Sequence, residues 1–212
     1  MAIKPILFNT EMVRAILDGR KTCTRRILKH DVETILNSPY HKAHPEVEDK
    51  QIISKLCQPP YQPGDILYVR ETWKKAPNGY YYYEDWQRND IADITKWKPS
   101  IHMPKEAARI WFKVTDVRVE RLHEISEDGA KAEGAIDNRG FIHSPDNEYD
   151  RIHTAREHFI EIWNNTIKKS DIDRYGWDAN PWVWVIEFER CEKPAESPYA
   201  WNDAIHKLTK GV

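Results

Sequence analysis

The chain has 212 residues and a mass of 25.1 kDa, enough for one large domain or two small ones with a buried core. Three widely spaced cysteines exclude a disulfide-stapled miniprotein, and a mean hydropathy of -0.76 leaves no apolar run of the roughly 20 residues that a membrane span needs. The net charge of -2 excludes a polycation that coats nucleic acid indiscriminately. We therefore expect a soluble, cytoplasmic protein without a membrane partner.

The N-terminal segment predicts a strand, a helix and a basic turn. Residues 3–8 form a short apolar stretch interrupted by proline, which suits an edge strand or an extended arm. Asn9 offers a helix N-cap, residues 11–18 place apolar side chains on one helical face, and Gly19 ends the helix. The basic segment 20–26 then follows directly.

Positive charge is concentrated in this part of the chain. Residues 1–29 contain seven Lys or Arg and two acids, a local charge of +5 in a chain whose total is -2. Such an asymmetry indicates a local function for the basic residues.

The next segment, residues 29–63, is polar and rich in turns. We interpret it as an insertion, with a short strand near residues 51–56. Residues 66–70 predict a strand, and Asn78-Gly79 predicts a type I′ hairpin turn, whose two central positions need positive φ. The tyrosines at 80–83 either pack against a sheet, which their strand preference favours, or stack on bases.

The second half of the chain predicts the remaining elements. They are an extended block at 97–104, a long strand at 108–122, a helix at 126–134 capped by Ser126, a loop at 137–151, an amphipathic helix at 154–167, a strand at 181–190 and a short tail helix near 199–208. We expect one α+β domain over residues 1–192, with insertions at about 29–63 and 135–151, and a tail at 193–212.

Three sequence blocks resemble the ASCH domain family. They are residues 19–26 (GRKTCTRR), 64–73 (GDILYVRETW) and 130–134 (AKAEG). The resemblance implies a PUA-like mixed β-barrel of about five or six strands with peripheral helices. The length and the 97–104 block are similar to those of longer ASCH proteins from phages and prophages. The family includes RNA binders, a ribonuclease and small amidohydrolases that act on 4-N-acetylcytidine.

The amidohydrolase branch resembles this chain at three positions. Its catalytic lysine, threonine and glutamate fall on Lys21, Thr24 and Glu133, although those enzymes are about half as long as this chain. Thr24 would attack the amide, Lys21 would serve as base, and Glu133 would relay a proton or orient Lys21. Residues 21 and 24 point to opposite faces of a regular strand, so the chain must turn after Gly19.

Two other interpretations of the basic segment remain open. In the first, it is a solvated edge that caps the carbonyl end of the preceding helix. In the second, it clamps phosphate while aromatic rings stack on unpaired bases.

Further residues are candidates for substrate binding. Glu71 either forms an ion pair with Arg70 or accepts a hydrogen bond from an amino group on a base. Ser100 and His102 are two positions apart in an extended block, so their side chains share a face. The full set is Arg20, Arg26, Arg70, Glu71, Trp73, Ser100 and His102.

We expect neither a metal nor another cofactor. There is no CxxC pair, and His41, His44, His153 and His158 lack the Cys or acid spacing of a metal site. The predicted function is hydrolysis of an N-acyl group from a cytosine-type base in a modified nucleoside. The alternative is an RNA- or single-stranded-DNA-binding module, with or without nuclease activity.

Overall fold

The computed structural model describes residues 1–87, 96–139 and 153–195. The described residues form seven strands, β1 (Ile3–Leu7), β2 (Cys23–Ile27), β3 (Ile66–Arg70), β4 (Trp73–Ala76), β5 (Gly79–Tyr82), β6 (Trp111–Arg121) and β7 (Trp182–Arg190). The same residues form eight helices, α1 (Thr10–Leu17), α2 (Val32–Leu36), α3 (Pro39–Ala43), α4 (Asp49–Leu56), α5 (Tyr83–Gln87), α6 (Glu127–Ala132), α7 (Ala155–Thr166) and α8 (Ile172–Tyr175). The predicted mixed α+β class is confirmed.

Five strands form one sheet in the order β1-β3-β6-β7-β2, and β4 pairs with β5 in a separate hairpin. β1 lies parallel to β3, whereas the other neighbouring pairs of the main sheet are antiparallel. The edge position of β1 explains why Pro5, which has no N–H to donate, is tolerated there. The predicted edge strand is therefore confirmed.

β7 is buried on both faces of the sheet. Val183 and Val185 pack with the apolar sides of α6 and α7, whereas Trp184 and Ile186 pack on the opposite face with α1 and α4. Because alternate residues of a strand point to opposite faces, such a strand has a continuous apolar sequence. The helices thus cover both faces of β7, next to the edge strand β2.

The prediction of a strand near residues 51–56 is wrong, because this segment belongs to α4. Ile52 and Ile53 are only 3% and 0% exposed. In a strand, two adjacent side chains point to opposite faces, but on a helix both can face one core. α4 therefore buries both isoleucines, and Ile53 packs in the core cluster against the sheet.

The hairpin prediction is correct, but its turn lies one residue earlier. Ala76 pairs with Gly79, so Pro77 and Asn78 are the central residues. In the described chain, Asn180 alone among non-glycine residues has a positive φ, which excludes the type I′ turn on Asn78-Gly79. Proline fixes φ near -65° and is therefore suited to the first central position of this turn.

Several predictions about the overall architecture are not confirmed. The main sheet of the described residues has five strands, within the predicted five or six, and β4 and β5 form a further hairpin. Within the described ranges, no hydrogen-bonded ladder joins β1 to β2, so closure into a barrel is not confirmed. The tail helix near 199–208 and most of the 135–151 insertion lie outside the described residues.

The helices of the described ranges are too short or too polar to cross a lipid bilayer.

Candidate active site

Lys21 lies in the turn between α1 and β2. Asn9 caps α1 at its start, and Gly19 follows its end with a φ of +74°. The backbone N–H groups of Arg20 and Lys21 both donate to the carbonyl of Ala15. Lys21 therefore precedes β2. The rule that alternate side chains of a strand point to opposite faces does not apply to it, so Lys21 and Thr24 can lie on the same side.

Glu133 is the C-cap residue of α6, and it contacts Lys21 directly. Lys21 Nζ donates to Glu133 Oε2 at 2.6 Å and to the Glu133 backbone carbonyl at 2.8 Å. The two side chains are 1% and 7% exposed. A carboxylate at a helix C-terminus is disfavoured by the helix dipole, so the lysine offsets an otherwise unfavourable charge.

Gly134 allows the turn after α1 to approach α6. Its φ is +97°, and a Cβ atom built on it would lie 2.7 Å from Ala15 Cβ and 3.4 Å from Lys21 Cβ. Any larger residue would be strained by its backbone conformation and would push α1 away. The glycine therefore fixes the distance between the segments that carry Lys21 and Glu133.

Arg25 holds the other side of the Glu133 carboxylate. Its Nη1 donates to Glu133 Oε1 at 3.3 Å, and its Nη2 donates to Glu120 Oε2 at 3.2 Å. The Arg25 side chain is 3% exposed. Lys21, Glu133, Arg25 and Glu120 thus form a continuous chain of alternating charges, and sequence reasoning missed the second half of it.

Lys21, Thr24 and Glu133 line one cavity of about 420 Å³. The buried Thr24 makes no side-chain hydrogen bond within the part of the chain that the structure describes. A hydroxyl without a partner in a cavity can accept or donate a bond to a ligand. The cavity is also lined by Leu7, Phe8, Asn9, Thr10, Met12, Arg25, Arg26, Thr72, Pro99, Ser100, Phe159, Ile162, Trp163 and Thr166.

Cys23 is adjacent to this site but is not a nucleophile. Burial, with a further contribution from the Glu133 charge, raises the pKa of its thiol to about 12. The thiol is therefore protonated at neutral pH, and the thiolate is the reactive form of cysteine. Thr24, by contrast, lines the cavity with its hydroxyl unbonded among the described residues.

Two of the predicted substrate-binding residues line the cavity, Arg26 and Ser100. Ser100 and His102 belong to one short 3₁₀ turn, so they do not alternate along an extended strand, and the prediction that they share a face is wrong. His102 is exposed and does not line the cavity.

The structure places the other candidates outside the cavity. Arg20 donates to the carbonyl of Gly134 at 2.6 Å and lines a neighbouring depression. Arg70 donates to the carbonyl of Ile101 at 3.2 Å. Trp73 is 5% exposed and packs in the apolar cluster beneath the β4–β5 hairpin.

Glu71 forms a separate buried ion cluster. Arg109 Nε and Nη2 donate to the two Glu71 oxygens, each at 2.9 Å, and Arg109 Nη1 donates to Asp85 at 2.7 Å. The Arg109 guanidinium lies 4.0 Å from the centre of the Tyr82 ring. The predicted ion pair of Glu71 with Arg70 is therefore wrong, because Glu71 pairs with Arg109.

The described ranges contain no group of three or more His, Cys, Asp or Glu side chains placed to hold a metal ion.

Comparisons with known proteins give a likeness of structure only. No family model and no curated protein matches the chain. It is similar to the crystal structure of an ASCH domain from Lactobacillus crispatus JV V101, with 14% identity over 89% of this chain and 79% of that chain and a TM-score of 0.36. It is also similar to a DUF984 protein from Enterococcus faecalis V583, with 12% identity over 90% and 76% of the two chains and a TM-score of 0.40. An ASCH domain, the family that the sequence blocks resemble, is thus among the solved structures to which this chain is similar.

Proposed function

We propose that the protein is an amidohydrolase that removes an N-acyl group from a cytosine-type base in a modified nucleoside. One observation carries the proposal. Glu133 is more than 100 residues from Lys21 and Thr24 along the chain, yet all three line one cavity, and Lys21 Nζ lies 2.6 Å from Glu133 Oε2. These residue types supply a nucleophile, a base and a proton relay, which amide hydrolysis requires.

The reaction begins with proton transfer along the Lys21–Glu133 pair. Lys21 passes a proton to Glu133 and then accepts the proton of the Thr24 hydroxyl as its oxygen attacks the acyl carbon. The C–N bond breaks when the base nitrogen takes a proton from Lys21, which releases the free amine. Water then hydrolyses the threonine ester, which releases the carboxylic acid and restores Thr24, and Glu133 returns its proton to Lys21.

Release of cytidine from 4-N-acetylcytidine tests this proposal. We expect turnover by the wild-type protein and its loss in Lys21→Ala. Lys29→Ala is the matched control, because Lys29 is an exposed lysine beyond the end of β2 and does not line the cavity. Thermal melting of all three proteins separates a lost reaction from a lost fold.

Two outcomes would contradict the proposal. Full activity of a folded Lys21→Ala protein would exclude the mechanism, and an inactive wild-type protein would exclude this class of substrate.

We also propose a division of the chain into one domain and a tail. We take residues 1–192 as one ASCH-type domain with a PUA-like barrel and residues 193–212 as its tail. Arg26 Nη2 on β2 donates to the carbonyl of Leu7 on β1 at 2.9 Å, which supports an approach of the two edge strands. Three free cysteines suit the reducing cytoplasm.

Nucleic-acid binding through the 20–26 segment has less support. Lys21 and Arg25 are buried in ion pairs, and Arg20 is bonded to Gly134 and Asp18. These residues do not form an exposed basic strip. A binding constant for RNA that falls steeply with salt would favour this alternative.

A further inference from the structure

Arg26 is a positive charge without a counter-ion in the cavity. Its Nη2 donates to the carbonyl of Leu7, and its guanidinium lies 5.4 Å from the centre of the Phe8 ring. Across residues 1–87, 96–139 and 153–195, no carboxylate lies within ion-pair distance of it. The other two guanidinium nitrogens make no hydrogen bond to a described residue and are not sealed from solvent.

The charges around the cavity do not balance. Of the charged residues that line the cavity, Lys21 and Arg25 both pair with Glu133, whereas Arg26 forms no ion pair with any described residue. Withdrawing a charge from water without a counter-ion is unfavourable. Consistent with this cost, burial lowers the pKa of the Arg26 guanidinium. An anionic ligand group would supply the missing counter-ion.

The depth of the charged groups indicates which part of a ligand meets Arg26. The Lys21 and Glu133 side chains are 1% and 7% exposed, whereas Arg26 is partly exposed and therefore nearer to solvent. A substrate whose acyl group reaches Lys21 leaves its sugar and phosphate on the outer side. The hydroxyl-bearing residues Thr72 and Ser100 line the same cavity and can serve as further hydrogen-bond donors.

We propose that the substrate is a nucleotide, and that Arg26 binds its phosphate while the acylated base lies beside Thr24 and Lys21. This inference rests on the proposed function, and it narrows the substrate from a neutral nucleoside to a phosphorylated one. Arginine matches phosphate because its planar fork of N–H groups bonds two oxygens at once. The cavity of about 420 Å³ is within the size range of small-molecule sites.

The test compares kcat/KM for 4-N-acetylcytidine, its 5′-monophosphate, its 3′-monophosphate and a short oligonucleotide with the acetylated base at its centre. We expect the wild-type protein to prefer a phosphorylated substrate by at least about tenfold, mainly through KM. Arg26→Gln should reduce this ratio to about one, and the charge-matched control Lys29→Gln should retain it. A preference for a monophosphate or for the oligonucleotide identifies the source of the phosphate.

Two results would overturn the inference while the proposed function stands. One is a wild-type protein that hydrolyses nucleoside and nucleotides equally well. The other is an Arg26→Gln protein that loses the same factor of kcat on every substrate, because this is the behaviour of a cation that stabilises the oxyanion of the reaction.

A binding measurement separates failure of the inference from failure of the proposed function. If no substrate is hydrolysed, calorimetric titration with cytidine and with its 5′- and 3′-monophosphates still tests the phosphate site. Tighter binding of a monophosphate that disappears in Arg26→Gln supports the inference without turnover. Equal binding of all three ligands overturns it.

Discussion

Glu133 and Glu71 are both buried carboxylates held by an arginine, but their surroundings differ. Arg109 covers both oxygens of Glu71 in a fork, and Tyr82 stacks on that arginine. Glu133 instead divides its oxygens between Arg25 and Lys21, and it lines a cavity that also contains an unbonded threonine hydroxyl. A carboxylate whose two oxygens are both bonded by one arginine stabilises the fold. A carboxylate that lines a cavity beside an unbonded hydroxyl can exchange a proton with a ligand.

Thr24→Val tests the cavity side of this comparison and should have the largest effect on turnover. It removes the proposed nucleophile, so we expect kcat for 4-N-acetylcytidine to fall roughly a thousandfold or more. The hydroxyl makes no hydrogen bond among the described residues, so the free energy of unfolding should change by less than about 1 kcal/mol. Steady-state kinetics and urea unfolding measure the two quantities, and an active Thr24→Val protein would exclude Thr24 as nucleophile.

Arg109→Met tests the structural cluster and should give the opposite result. It leaves the buried Glu71 without its cation, so we expect the free energy of unfolding to fall by about 3 kcal/mol or more at pH 8. The rate per folded molecule should be retained, because Arg109 does not line the cavity. A stable but inactive variant would show that the two clusters are not independent.

The stability loss in Arg109→Met should depend on pH with a definite sign. Burial raises the pKa of Glu71 even with Arg109 present, and removing the arginine raises it further. A carboxyl with a raised pKa in the folded state stabilises the fold below its unfolded pKa, and that contribution is lost as the pH rises through the folded pKa. Urea unfolding should therefore show a smaller loss at pH 5 than at pH 8, and a loss independent of pH would contradict the assignment to Glu71.

Arg25→Lys tests whether a forked cation is needed on Glu133. A lysine cannot bond Glu133 and Glu120 with the same planar fork, so we expect kcat to fall about tenfold while KM changes little. The matched control is Arg118→Lys, because Arg118 also donates to Glu120, at 2.7 Å, but is 41% exposed and does not line the cavity. Equal effects in both variants would indicate a role for Arg25 in stability alone.

Treatment of the protein with a maleimide should have the smallest effect, because Cys23 should remain unmodified. With a pKa of about 12, its thiolate fraction at pH 8 is about one in ten thousand, so a maleimide should not modify it in the folded protein. The half-buried Cys191 should react faster, and its alkylation should leave turnover intact. Mass spectrometry of the treated protein locates the modified thiol, and rapid modification of Cys23 would contradict its burial.

The elements that sequence reasoning predicted correctly have local causes. Asn9 and Ser126 accept from backbone N–H groups three residues later, and Gly19 and Gly134 adopt the positive φ that follows a helix. These interactions lie within a few residues, so the sequence displays both partners together. The contact of Lys21 with Glu133 was expected from the family resemblance alone, because the two residues are 112 positions apart.

The features that sequence reasoning missed depend on distant partners. Arg25 bonds Glu120 and Glu133, which are 95 and 108 residues away, and nothing near Arg25 indicates either partner. The segment that forms α4 was wrongly predicted as a strand. Two adjacent apolar residues are compatible with a helix or a strand until the buried face is known. Arg26 was expected to bind substrate, but its lack of a counter-ion among the described residues is visible only once their carboxylates have been placed.

The pairing of β2 has a consequence for how the protein folds. β2 carries Thr24, Arg25 and Arg26, and within the described sheet its hydrogen-bonded neighbour is β7. As the chain leaves the ribosome, β2 emerges early but has no strand to pair with until residues 182–190 appear. Contacts between such distant segments form slowly because a long loop must close first. A fragment that ends between Glu133 and β7 would therefore contain Lys21, Thr24 and Glu133 and yet lack the assembled site.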